Sequence, residues 1–186
     1  MAGSTHPGEE EAVLSAYRRL AKQFIALRLL IVPRHPPRAK EVGRLVLKYG
    51  FTPVFISQPE RVTQGAVFIL DTVGQLTNYY AIADIVFMGG SLVKKGGHNI
   101  LEPALFAKPI LFGRQMFNFR DIADLFLRNR GAILVQRKEE LFLKLRFLLD
   151  NPSLMSQLGQ AAQRLVLDNQ GATDKNLKII KELIRP

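Results

Sequence analysis

Asp84-Ile-Val-Phe-Met-Gly-Gly-Ser-Leu-Val-Lys-Lys-Gly-Gly-His-Asn-Ile-Leu-Glu-Pro103 reads as a strand, a glycine-rich loop and the first turn of a helix in direct succession. The run from Asp84 to Met88 is short and apolar and ends abruptly at Gly89-Gly90, as a buried strand does. A second glycine pair, Gly96-Gly97, closes the loop, and helical spacing takes over from Asn99 to Ala107. A buried strand that feeds a helix through such a loop is half of a βαβ unit.

The alternation continues in both directions. Upstream, a helix is predicted over 9–24, with Val13, Leu14, Tyr17, Leu20, Ala21 and Phe24 on one side. Its opening acids Glu9-Glu10-Glu11 suit the positive end of a helix dipole. A strand over 27–32 stops at Pro33, and a helix over 38–49 stops at Gly50. Strands over 52–57 and 66–70 and a helix over 75–83 lead into the opening stretch. Downstream come a strand over 108–112 ended by Gly113, a helix over 119–130 and a strand over 132–135. Helices over 138–149 and 152–184 follow, the last broken around 169–172. Short strands separated by single helices predict an α/β fold: one domain, 1–186, with a Rossmann-like, doubly wound, mostly parallel sheet.

Composition narrows the function classes. The chain has no Cys, which excludes a disulfide framework and thiolate metal sites. Its first residues lack the basic and apolar parts of a signal peptide, and no apolar run is long enough to span a bilayer. A soluble, cytosolic chain is the default expectation. The formal net charge of +10 favours anionic partners, whether nucleotide phosphates, nucleic acid or an acidic membrane surface. The basic residues are spread along helices, as in Arg18, Arg19 and Lys22, Lys40, Arg44 and Lys48, or Lys175, Lys178 and Lys181, so solvated helix faces account for much of the excess.

In doubly wound sheets ligands sit outside the carboxyl ends of the strands. In the loop that opens this section, glycines allow close backbone approach and positive φ. The N–H groups of Gly97, His98 and Asn99 are expected to face an anion, helped by the helix dipole. His98, Asn99 and Glu102 can share the first turn, where a carboxylate is placed to accept ribose hydroxyls. The plainer alternative is a capping box formed by Asn99 and Glu102. Pro33-Arg-His-Pro-Pro-Arg38 is a stiffened strand-end loop whose Arg34 suits phosphate or carboxylate, with His35 and Arg38 as further candidates. Ser4, Thr5 and His6, in Gly3-Ser-Thr-His-Pro-Gly-Glu9, are either ligand contacts or a helix cap. Asn118, between Phe117 and Phe119, is a candidate contact or cap. No nucleophilic triad is visible, and the three His residues show no metal-ligand spacing on one helix. Neither a metal nor a cofactor is expected.

Taken in order, Gly3-Ser-Thr-His-Pro-Gly-Glu-Glu10, Pro33-Arg-His-Pro-Pro-Arg38, Asp71-Thr-Val-Gly74, Gly89-Gly-Ser-Leu92, Gly96-Gly-His-Asn-Ile-Leu-Glu-Pro103 and Phe117-Asn-Phe119 resemble the 3-deoxy-D-manno-octulosonic acid (Kdo) transferases of lipopolysaccharide assembly. The resemblance covers nearly the whole chain. It implies the C-terminal, donor-binding half of a GT-B glycosyltransferase that takes Kdo from CMP-Kdo to the lipid A precursor, at the cytoplasmic face of the inner membrane of Gram-negative bacteria. By the same analogy Arg34 holds the phosphate or sugar carboxylate, with His35 a further candidate substrate contact. Gly89, Gly90, Ser91, Gly96, Gly97, His98 and Asn99 wrap the CMP, and Glu102 takes its ribose. The family's catalytic carboxylate and its acceptor and membrane contacts belong to an N-terminal domain. No catalytic residue is therefore expected here, and the chain is expected to be an isolated domain that transfers nothing alone. Lys94-Lys95 stands where a Pro-Arg type of pair is more usual, which keeps the charge and removes the guanidinium.

Three rivals remain. A nucleotide-sugar epimerase of the same fold would prefer a UDP-sugar. A nucleic-acid-binding module would need exposed stacking aromatics, whereas these aromatics lie in apolar runs. A flavodoxin-like receiver would need acidic strand ends, and these loops are basic.

Overall fold

A computed structural model describes residues 1–59 and 65–169. The expected continuation of the last helix past residue 169, with Lys175, Lys178 and Lys181, lies outside the described residues. Strands β1 (Ala2–Thr5), β2 (Leu29–Pro33), β3 (Thr52–Phe55), β4 (Ala66–Ile69), β5 (Val86–Met88), β6 (Ile110–Gly113) and β7 (Ala132–Val135) form one seven-stranded sheet in the order β3-β4-β2-β1-β5-β6-β7. Every neighbouring pair is parallel, so the expected mostly parallel sheet is parallel throughout its described strands. The chain builds outward from β1 to one edge, then returns to the other side of β1 at β5. That reversal creates the crevice between the carboxyl ends of β1 and β5, the position where ligands enter such sheets.

Helices α1 (Glu10–Leu20), α2 (Ala39–Lys48) and α6 (Glu140–Leu149) share one apolar core with the sheet. Helices α3 (Leu76–Ile82), α4 (Leu101–Leu105), α5 (Arg120–Arg128) and α7 (Pro152–Asp168) share a second. The helical periodicity accounts for this: Val13, Leu14, Tyr17 and Leu20 of α1 are all buried, at successive positions of one stripe. Each large side chain of that kind contributes on the order of 1.5–3 kcal/mol on burial. The central strands are buried on both faces, as expected where helices cover both sides of a sheet.

Two elements differ from the sequence expectation in ways that matter for the site. The helix expected over 99–107 is only the five residues of α4. Its start is delayed because the Asn99 side chain accepts the Leu101 N–H at 3.0 Å, drawing the chain into a local turn. The first motif, expected as a strand-end loop, also begins inside a strand. β1 runs through Gly3 and Ser4 to Thr5, and Ser4 has a φ of 53° where the register with β2 shifts.

Candidate functional site

The site begins with Glu9. Its Oε2 accepts the N–H groups of His6 at 3.0 Å and Gly90 at 2.7 Å, and its Oε1 accepts those of Ser91 at 3.0 Å and Leu92 at 2.9 Å. The side chain is fully buried. Burial pushes its carboxyl above the usual range, and the amides oppose that shift. Glu9 therefore bolts the loop after β1 to the loop after β5. Sequence reasoning gave the acidic run a dipole role and missed this one. The available signal was the position of Glu9, first in the run and directly after Gly8.

This internal carboxylate changes the reading of the glycine-rich loop. The amides of Gly90 and Ser91 are taken by Glu9, and Gly89 donates to the Gly3 carbonyl at 2.8 Å. The Gly97 N–H, expected to face an anion, instead donates to the Gly90 carbonyl at 2.9 Å. A Cβ at Gly89 would overlap the Ser4 carbonyl, and one at Gly96 would overlap the Asn118 carboxamide. These glycines permit close approach of protein segments to one another, where the sequence led us to expect close approach of a ligand. Ser91 is likewise built in: its hydroxyl donates to the Met88 carbonyl at 2.5 Å and accepts from the Gly113 N–H at 2.7 Å. The Asn118 backbone N–H donates to Gly96 O at 3.0 Å, and its side chain donates to Lys95 O at 3.2 Å, pinning the far end of the loop.

What faces the crevice is a set of imidazoles and cations. The chain's three histidines, distant in sequence, converge. His6 and His98 stack with an interplanar angle of 8°, and their Nε2 atoms are 2.8 Å apart, close enough to share one proton. His35 meets His6 edge-on at 6.0 Å. Burial lowers the pKa of His98 to about 4, helped by the positive charge of its neighbours, with Arg34 among them. His6 is lowered first by burial, then by Lys95, His35, Arg38 and Arg34. Convergence alone does not make a metal site: no group of three His, Asp or Glu residues placed to hold a metal is found among the described residues.

The remaining candidates divide. Arg34 is exposed at the end of β2, its N–H held by the Thr5 carbonyl at 2.9 Å. Asn99 donates to Glu102 Oε1 at 3.2 Å, so the expected pair does meet at the start of α4. The capping geometry is different, because Asn99 caps Leu101 and not the N–H of Glu102. Thr5 is fully buried, its hydroxyl 3.5 Å from Val32 O. Arg38 is committed to Glu10 at 2.8 Å and Glu41 at 3.2 Å, which ties α1 to α2.

A single parallel sheet with helices on both faces, and a basic crevice at its switch point, is the C-terminal, Rossmann-like domain of a GT-B glycosyltransferase. The same fold is seen in Anabaena Alr3699/HepE in complex with UDP and glucose, with a TM-score of 0.67 and 15% identity over 98% of this chain and 47% of that one. In sequence, the chain is 37% identical over 183 residues to the 3-deoxy-D-manno-octulosonic acid transferase of Haemophilus influenzae. The match takes in 97% of this chain and 43% of that protein. The C-terminal CMP-Kdo binding domain of WaaA from Acinetobacter baumannii superposes with a TM-score of 0.82 and 29% identity, over 89% of this chain and 86% of that domain. No family model matches the chain. The chain belongs to the Kdo transferase family and spans about two fifths of the length of the relatives it matches.

Proposed function

We propose that residues 1–186 are the donor-binding domain of a Kdo transferase, and that the β1/β5 crevice takes CMP-Kdo. The observation that carries this is the charge of the crevice. Arg34 and Lys95 stand with a neutral histidine pair, while Glu9 is spent on backbone amides. Burial chiefly holds these histidines neutral, and an anion entering there relieves the added repulsion from Arg34. In this reading Arg34 holds the donor phosphate or the sugar carboxylate, with His35, His6 and His98 beside it. Glu102, oriented by Asn99, accepts ribose hydroxyls. The glycine-rich loop contributes shape and backbone carbonyls more than phosphate-binding amides.

Transfer of Kdo breaks the bond between the sugar and the CMP phosphate and forms one to an acceptor hydroxyl. The negative charge that develops on departing CMP is what these cations are placed to stabilise. The base that takes the acceptor proton, and the contacts to the lipid A precursor, fall to another domain. The whole protein would work on the cytoplasmic side of the inner membrane, at the surface where its acceptor resides.

Titration of the domain with CMP, UMP and GMP, followed by amide chemical shifts, tests the reading. We expect perturbations at Arg34, His98, Asn99 and Glu102 and in the Gly89–Ser91 loop, strongest for CMP. A uridine preference would favour an epimerase-like donor instead. Equal, weak responses spread over the surface would remove the donor site altogether.

A further inference from the structure

The charge of the molecule is distributed unequally between its two helical layers. On one face of the sheet, α1, α2 and α6 carry Arg18, Arg19, Lys40, Arg44, Lys48, Lys144 and Arg146 against Glu10, Glu11, Glu41 and Glu140, of which Glu10 and Glu41 are bound to Arg38. On the opposite face, α4, α5 and α7 carry Glu102, Asp121, Asp124 and Asp168 against Arg120, Arg128 and Arg164. The donor site accounts for none of the cations on α1 and α2.

Between the carboxyl ends of α1 and α2 lies a groove of ≈ 400 Å³ whose charged lining is Arg18, Lys22 and Arg28, with no carboxylate among the described residues that line it. The cations are held in place. The Arg18 guanidinium lies 5.5 Å from the centre of the Tyr49 ring, and Arg28 donates to the carbonyls of Ile25 at 3.0 Å and Leu27 at 3.1 Å. One aliphatic side chain stands out beside them: Ile25, at the lip of the groove, is 80% exposed.

We propose that this α1–α2 face docks on an anionic lipid bilayer, with phosphate headgroups in the Arg18–Lys22–Arg28 groove and Ile25 inserted among the acyl chains. The combination of a basic rim and a protruding aliphatic side chain fits a bilayer surface. It does not fit single-stranded nucleic acid, which needs free aromatic faces. Here Tyr17 packs on Phe51 at 5.0 Å and Tyr49 is covered by Arg18. With the sheet face lying along the membrane, the β1/β5 crevice opens sideways, parallel to the bilayer and within reach of a lipid-borne acceptor. That last point rests on the donor-domain reading; the docking surface itself does not.

The test is co-sedimentation of the chain with vesicles of phosphatidylcholine alone and with phosphatidylglycerol added. Binding is expected only with the anionic lipid, falling by about fivefold for each cation removed in Arg18→Gln and Lys22→Gln. Ile25→Ser should also release the protein by severalfold without changing its charge, and its high exposure leaves folding intact by circular dichroism. A charge-matched control on the other face, Arg120→Gln with Arg164→Gln, should change binding by less than twofold. Loss of binding equal to that of Arg18→Gln with Lys22→Gln would mean a nonspecific charge effect and overturn the proposal. So would unchanged binding of Ile25→Ser, no binding to anionic vesicles, or tighter binding to single-stranded RNA than to vesicles. CMP titration of the same variants keeps the two readings apart, because the docking variants should bind CMP as the parent does.

Discussion

His98 and Glu9 show how far single residues can be read. The glycine-rich loop was legible in the sequence as a candidate site, and its histidine as a candidate member. The His6–His98 contact was not, because it depends on β1 and β5 lying side by side in the sheet, which no periodicity reveals. The pair makes a pH prediction with a definite sign. In the free protein His98 is held neutral down to about pH 4. A bound anion reverses the local field and raises that value, so binding takes up a proton. Between about pH 4 and the raised value, affinity then grows as pH falls, by at most about tenfold per unit for each imidazole. CMP itself loses phosphate charge below about pH 6, which works in the opposite direction. The informative quantity is therefore the ratio of affinities between the parent chain and His98→Gln, measured calorimetrically from pH 8 to pH 5.5. It should widen toward low pH; a constant ratio would show that His98 does not titrate with binding. Arg34→Gln is expected to weaken CMP binding by about tenfold to a hundredfold at any pH in that range, the loss of a charge-assisted contact. Glu9→Gln tests the scaffold. A carboxamide offers one acceptor oxygen where the carboxylate offers two, leaving buried amides of the His6, Gly90, Ser91 and Leu92 set without partners. Urea unfolding should show a loss of about 2–4 kcal/mol.

At the scale of elements, apolar periodicity placed the helices and short apolar runs placed the strands, because burial enforces both. Ends were less legible. α1 stops at Leu20, not at Phe24, and α4 is reduced to one short stretch by the Asn99 turn. The glycines were visible as punctuation, but their reason was tertiary. Gly159 in α7 is an example that no motif marks: a Cβ there would run into the Ala107 carbonyl at the end of α4. The helix crosses the chain at van der Waals distance, and Gln163 Nε2 ties it there by donating to Leu105 O at 2.7 Å. Gly159→Ala is a clean contest between two effects. Helix propensity favours alanine by about 1 kcal/mol. The overlap with a main-chain carbonyl costs about 1–3 kcal/mol or more, because α7 must move as a body. We expect a net fall in Tm; a rise would mean that α7 is not seated against α4 as described.

For the whole molecule, sequence patterning gave the parallel sheet, but not which loops share the crevice or which face collects charge. The net charge of +10 looked like dispersed helix-surface charge when read along the chain. Assigned to layers, it becomes two separate basic features, one in the crevice and one on the α1–α2 face. Arg38 lies between them and belongs to neither, because Glu10 and Glu41 neutralise it. This separation predicts near-independence of the two binding events. The proposed donor contacts lie at the carboxyl ends of β1, β2 and β5, and the groove lies at the far ends of α1 and α2, with no residue in common. Bound CMP removes about two charges from the molecule's long-range field. Most of that effect is screened beyond about 8–10 Å at physiological salt. Vesicle affinity measured with and without saturating CMP should therefore differ by less than about twofold, slightly weaker with CMP. A tenfold change in either direction would require a conformational link between crevice and face, and the two features would then have to be treated as one coupled site.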